Sequence, residues 1–267
     1  MDYFRNNESK EKEGFIILLD VLGTRGYWLR SDPKIAVNNF TEIVDTMEIW
    51  KSKLGNLLQT KNIELNLSTY CFSDTILMTL IPEKNVDKID AIKKCSFLIS
   101  SVIIKGIDLG ILFRGTISFG KFYKSEEEKH SFTIGPAVDE AADWYDKISL
   151  IGAICSPSVG LSLDAYVEKN PNKLGSKYFI KHNVLLKNNS YNTWILSWPI
   201  MISYYLGHHT NSSDPPEKTI QYLKENKSWL LEKFSKIGIG SYDFGKFENT
   251  MKFYDTLVDL FNVKKNS

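Results

Sequence analysis

The chain is poor in the residues that most often announce chemistry. It has three cysteines, Cys71, Cys95 and Cys155, in 267 residues. They lie far apart in apolar surroundings, which argues against a disulfide framework or a zinc site and reads as reduced core thiols of a cytosolic protein. The four histidines, His130, His182, His208 and His209, show no ligand spacing and no Ser or Cys nucleophile partner. No glycine-rich phosphate loop of the Walker or dinucleotide type occurs. Excess charge is also missing: the formal net charge is +1, so no global electrostatic grip on nucleic acid or an acidic membrane is expected. The longest apolar runs are too short to span a bilayer, and the opening from Met1 to Gly14 is polar rather than signal-like.

What remains is an ordinary globular composition, 43% hydrophobic, 24% charged and 13% aromatic, enough to fill one large core. Residues 1–13 read as a flexible lead-in. Phe15 to Asp20 reads as a buried strand. Apolar residues recur at helical spacing from Pro33 to about Leu54, with Ser31 and Asp32 as caps. Two strands, Ile63 to Phe72 and Thr75 to Ile81, flank Ser73-Asp74 as a tight hairpin. A helix from about Val86 to Lys105 precedes a strand from Ile111 to Phe119, ended by Gly120. After the solvated run Lys124 to Lys129, Phe132 to Ile134 enters a helix that begins at Gly135-Pro136 and reaches about Lys147. A strand from Ile151 to Ser156 and a helix near Pro157 follow.

The order β-α-β-β-α-β predicts an α+β sandwich of the ferredoxin-like, split βαβ kind, with helices on one face of a mainly antiparallel sheet. Residues 166–267 read as an extension of two strands, Tyr178 to Leu186 and Thr193 to Trp198, and then helices. We find no chemistry in that region.

Two carboxylates stand out against this background. Asp20 ends the run Phe15-Ile16-Ile17-Leu18-Leu19, and Asp74 interrupts Tyr70-Cys71-Phe72-Ser73-Asp74-Thr75-Ile76-Leu77-Met78. A carboxylate against that much hydrocarbon needs hydrogen bonds, a cation or a metal ion. The split βαβ order places the first strand beside the hairpin, so the two acids would form a hard oxygen site suited to Mg²⁺ or Mn²⁺. Each also has a plain alternative as a turn residue. Arg114, in Phe113-Arg114-Gly115-Thr116, could bind phosphate or pair with one of the acids. The helix Gly135-Pro136-Ala137-Val138-Asp139-Glu140-Ala141-Ala142-Asp143 carries small residues for close packing, with Asp139 and Asp143 one turn apart.

Taken in order, these motifs resemble the class III nucleotidyl cyclase catalytic domain over about residues 14–165. The matching parts are a strand ending in a metal-binding Asp (Asp20) before a Gly-containing loop, a hairpin with the second metal Asp (Asp74), the strand Phe113-Arg114-Gly115-Thr116-Ile117-Ser118-Phe119-Gly120, and the Gly135 helix. The resemblance implies a cytoplasmic homodimer, joined head to tail, that converts a nucleoside triphosphate to a 3′,5′-cyclic nucleotide and pyrophosphate. Asp20 and Asp74 would hold the metals, with Arg114 a third catalytic group. Backbone amides of Val21, Leu22, Gly23 and Thr24 would hold phosphates, with Arg25 nearby; Tyr70, Asp139 and Asp143 would line the nucleotide.

The sequence also departs from the family. Asp139 and Asp143 replace its ribose-binding Asn and its Arg, and losing such a cation typically costs several kcal/mol of barrier. Tyr70 replaces its purine-selecting Lys, a change shared with bacterial pyrimidine cyclases of anti-phage signalling. The alternative reading is a catalytically silent module of the same fold that binds a nucleotide or a protein partner. A third is a scaffold in which both acids only shape turns.

Overall fold

The computed structural model describes residues 11–22, 32–59, 66–84, 86–127, 130–171, 173–175, 177–187, 189–208, 216–237 and 244–266. Its first strand, β1 (Glu11–Val21), is followed by α1 (Pro33–Gln59), β2 (Asn66–Phe72), β3 (Thr75–Ile81), α2 (Lys88–Asp108) and β4 (Phe113–Glu127). Then come β5 (His130–Ile134), α3 (Pro136–Tyr145), β6 (Gly152–Cys155), α4 (Pro157–Lys169), β7 (Phe179–Leu185) and β8 (Ser190–Leu196). A 3₁₀ turn (Trp198–Met201) leads into α5 (Ile202–Tyr205), α6 (Pro216–Ile237) and α7 (Phe244–Asn266).

The strands form one sheet in the order β2-β3-β1-β4-β6-β8-β7, with β5 paired to β4. β1 is antiparallel to both β3 and β4, and β2 to β3. β1 and β2 therefore run the same way with β3 slotted between them, the split arrangement the element order predicts. β1 sits mid-sheet and is covered on both faces, which is why Phe15 to Leu19 is a continuous apolar run rather than an alternating one. Phe15, Ile17 and Leu19 face the main core with α1 and α2, whereas Ile16 and Leu18 face Ala137 and Ala141 of α3. Helices thus cover both faces, which corrects the one-faced sandwich expected from the order of elements. The short side chains of α3 let it lie close against the sheet.

Gly120 does not end β4. It pairs with Gly14 across β1, and a Cβ there would first meet Ala137 Cβ at 3.6 Å, so its smallness serves the approach of α3. The strand runs on to Glu127 and pairs back with β5, so part of the run read as a solvated loop is strand. Cys71 is exposed on β2, while Cys95 and Cys155 are buried; only the last two fit the expected core thiols.

The C-terminal strands extend the same sheet, β8 pairing with β6 and β7 with β8. The 3₁₀ turn, α5 and α6 pack on α2. That second cover explains why α2 is buried along both its sides, down to Ser96, Ser100 and Ser101; Ser96 and Ser101 donate to carbonyls of their own helix. Among the described residues no helix is long and apolar enough to cross a membrane.

Candidate functional site

Antiparallel register sets which side chains share a face. Phe72 pairs with Thr75, Thr75 with Asp20 and Asp20 with Arg114, so these four form one row across β2, β3, β1 and β4. Asp20 is there because the even positions of β1 turn toward α3, and position 20 lies just past the apolar cover that α3 gives Ile16 and Leu18. Asp74 occupies the second of two residues in the β2–β3 turn. The first, Ser73, has φ 55°, the left-handed conformation such two-residue turns require. The turn presses against the end of β1: Val21 N–H donates to the Asp74 carbonyl at 3.1 Å. The fold thereby brings together two acids 54 residues apart in sequence.

Asp20 is well satisfied but heavily desolvated. Its Oδ1 accepts from the Thr75 hydroxyl at 3.2 Å, and its Oδ2 accepts from Arg114 Nε and Nη2 at 3.2 and 3.1 Å. Burial pushes its carboxyl above the ordinary value; Arg114 and Thr75 pull it down, and the charge of Asp74 pushes it up again.

Arg114 is held from its other side too. Nη2 lies 3.1 Å from Asp146 Oδ1, and Nη1 donates to the Asp146 carbonyl at 3.1 Å. The Tyr145 ring is 5.3 Å from Cζ. Lys187, from the β7–β8 turn, reaches Asp146 Oδ2 at 2.6 Å; that contact is the main reason the Asp146 carboxyl lies below its usual value. Thr75, Tyr145, Asp146 and Lys187 were not legible as site residues. Thr75 follows from register alone, but the other three depend on where α3 ends and on a hairpin some 40 residues further on.

The expected phosphate loop is only partly placed. Val21 N–H is taken by Asp74, and Leu22 N–H donates to the Leu112 carbonyl at 2.7 Å, so neither amide is open to a phosphate in this arrangement. Gly23, Thr24 and Arg25 lie outside the described residues. Tyr70 falls in the next row of the same face, opposite Leu77, with Lys124 Nζ 5.5 Å from its ring centre and bonded to Ser68 Oγ at 2.5 Å. Asp139 and Asp143 are exposed on α3 and are not among the groups that bond or pair with Asp20 or Arg114.

Carboxylate oxygens are the donors a hard divalent cation would use. Mg²⁺ is commonly held by one or two carboxylates together with substrate phosphates rather than by an all-protein cage, and Asp20 and Asp74 are the carboxylates that could serve at this end of the sheet. Among the described residues, no group of three or more His, Cys, Asp or Glu gathers as a self-sufficient metal cage.

No protein-family model matches the chain, and no curated protein matches it. Among solved structures it is similar to the dimeric guanylyl cyclase domain of the RhoGC fusion protein from the aquatic fungus Blastocladiella emersonii, with TM-score 0.45 and 12% identity over 70% of this chain and 97% of that one. The adenylyl cyclase CyaB from P. aeruginosa aligns with TM-score 0.42 and 9% identity over 70% of this chain and 94% of the other. A bacterial light-regulated adenylyl cyclase aligns with TM-score 0.45 and 12% identity over 83% of this chain but 58% of its own length. These likenesses concern the outline of the fold alone.

Proposed function

We propose that this protein is a divalent-metal-dependent nucleotidyl cyclase, acting on a nucleoside triphosphate as a cytoplasmic homodimer. The observation that carries the reading is the placement of Asp20 and Asp74 at one end of neighbouring strands, with Val21 N–H on the Asp74 carbonyl at 3.1 Å. Residues 14–165 would carry the reaction, and residues 166–267 would brace it through β7, β8 and the helices over α2.

In this reading Asp20 and Asp74 bind Mg²⁺ or Mn²⁺, and a cation there would polarise the α-phosphate and ease deprotonation of the ribose 3′-hydroxyl. The 3′-oxygen forms the new bond to the α-phosphorus as the bond to pyrophosphate breaks. Arg114 would stabilise charge on the phosphates, a role suited to a planar five-donor fork. Tyr70 of the second copy would meet the base. Phe72, 84% exposed beside the site, together with Asp139 and Asp143 on the open side of α3, would face the second copy.

The silent-module reading has one specific observation behind it: Arg114 is engaged by Asp20 and Asp146, while acids stand where the family has an Asn and an Arg. Incubation of the full chain with Mn²⁺ and each of the four ribonucleoside triphosphates separates the two. A cyclic product with matching pyrophosphate, lost in Asp74→Asn, supports the enzyme. Triphosphate binding by a folded protein without product from any of the four would leave the binding module.

A further inference from the structure

Arg114 is shared unequally between two carboxylates. One side of the guanidinium meets Asp20 Oδ2 through Nε and Nη2. The other meets Asp146 through its carboxylate and its main-chain carbonyl, above the Tyr145 ring. The two side chains of the inner pair are only 15% and 13% exposed, whereas Asp146 is exposed and has Lys187 as a second cation. Asp146 therefore keeps a counter-charge whether or not Arg114 stays. Asp20 has no other cationic side chain in contact among the described residues.

We propose that Asp20 exchanges cations: Arg114 neutralises it in the free protein, a divalent ion replaces Arg114 when metal and triphosphate bind, and Asp146 with Tyr145 retains the released guanidinium beside the site. This rests on the metal-nucleotide reading above and goes beyond it by assigning a coupling. A hard divalent ion sits about 2.0–2.1 Å from a carboxylate oxygen, which Oδ2 cannot offer while two N–H groups point at it. A positive ion arriving alone must also work against the guanidinium charge a few ångströms away. A triphosphate removes that opposition, because its oxygens give Arg114 new acceptors. Metal and triphosphate then bind each better in the presence of the other, and by linkage the effect is reciprocal. Asp146 is a positioning residue here: without it the guanidinium would rest wholly on Asp20.

The test is Mn²⁺ binding to the full chain, followed by calorimetry and by the electron paramagnetic resonance of free Mn²⁺, with and without a 3′-deoxynucleoside triphosphate that cannot cyclise. Arg114→Gln should bind Mn²⁺ alone more tightly than the natural chain, within the span of about 5-fold to 150-fold usual for coupled sites. It should also lose most of the enhancement that the triphosphate gives. Asp146→Asn should move Mn²⁺ affinity the other way, and Arg114→Lys, which keeps the charge and folds more safely, should stay near the natural chain. Unchanged or weaker Mn²⁺ binding by folded Arg114→Gln overturns the exchange while leaving the metal site intact. Failure of the natural chain and both Arg114 variants to bind Mn²⁺ in either condition overturns the metal reading as well.

Discussion

Burial works against the charge on Asp20, and the sign of that effect is testable without any ligand. Its folded-state pKa is raised above the unfolded value, chiefly by desolvation. Such a group favours the folded state below the ordinary carboxylate range, and that contribution is lost as pH rises through the raised value. In metal-free protein, Asp20→Asn should therefore melt at or above the natural chain near pH 7, with the gap closing as pH falls through the raised value and gone below about 4. A lower melting temperature at neutral pH would show that the Arg114 contact outweighs the burial. Ser73 makes a second residue-scale case. A non-glycine at φ 55° is strained, so Ser73→Gly should gain about 0.5–1 kcal/mol in a urea titration while leaving the hairpin intact. The two acids were legible because each breaks an apolar run. The cage around Arg114 was not, because Tyr145, Asp146 and Lys187 look like any solvated residues until register and helix length are known.

Elements were read well where their periodicity was strong. The hairpin at Ser73-Asp74, the split order of β1 to β4 and the helix α2 follow from pattern, since turn residues bound the apolar runs and the core face of α2 repeats at the helix period. The errors come from glycine and charge. Gly120 reads as a strand stop, yet it faces Ala137 and lets α3 close on the sheet; a glycine that terminates and one that admits a neighbour look alike in sequence. The charged run Lys124 to Lys129 reads as solvated, although an antiparallel partner in β5 is enough to hold its part up to Glu127 extended. Gly115 shows the opposite case, where packing is strict: a Cβ there would overlap Leu19 Cδ2 and lie 2.5 Å from the Leu18 carbonyl oxygen. Gly115→Ala should destabilise by about 1–3 kcal/mol and shift β4 against β1. It should also weaken the Asp20–Arg114 contact, which a crystal structure of the variant would reveal.

At the scale of the whole molecule, the described C-terminal residues share one sheet and one core with the rest. One hydrophobic core runs from Phe15 through α2 to Leu257. A polar pin completes it: Asp108, the last residue of α2, binds Lys233 of α6 at 2.5 Å and accepts from the Tyr205 hydroxyl of α5 at 2.6 Å. Burial would raise the Asp108 carboxyl, but these partners outweigh it and hold it below its usual value. Its stabilising contribution is thus present above the ordinary carboxylate range and lost as pH falls through the lowered value, the reverse of Asp20. Asp108→Asn should cost about 1–3 kcal/mol at pH 7, little in acid, and should speed amide exchange in α6. An equal penalty at both pH values would mean that the pin acts through packing instead.

The central claim is that the ends of two neighbouring strands hold a divalent cation between Asp20 and Asp74. A Mn²⁺ titration followed by electron paramagnetic resonance, in the presence of a non-cyclisable triphosphate, addresses it most directly. The natural chain should remove free Mn²⁺ saturably, and Asp20→Asn and Asp74→Asn should each abolish most of that uptake while remaining folded. Equal uptake by the natural chain and both variants would contradict the claim.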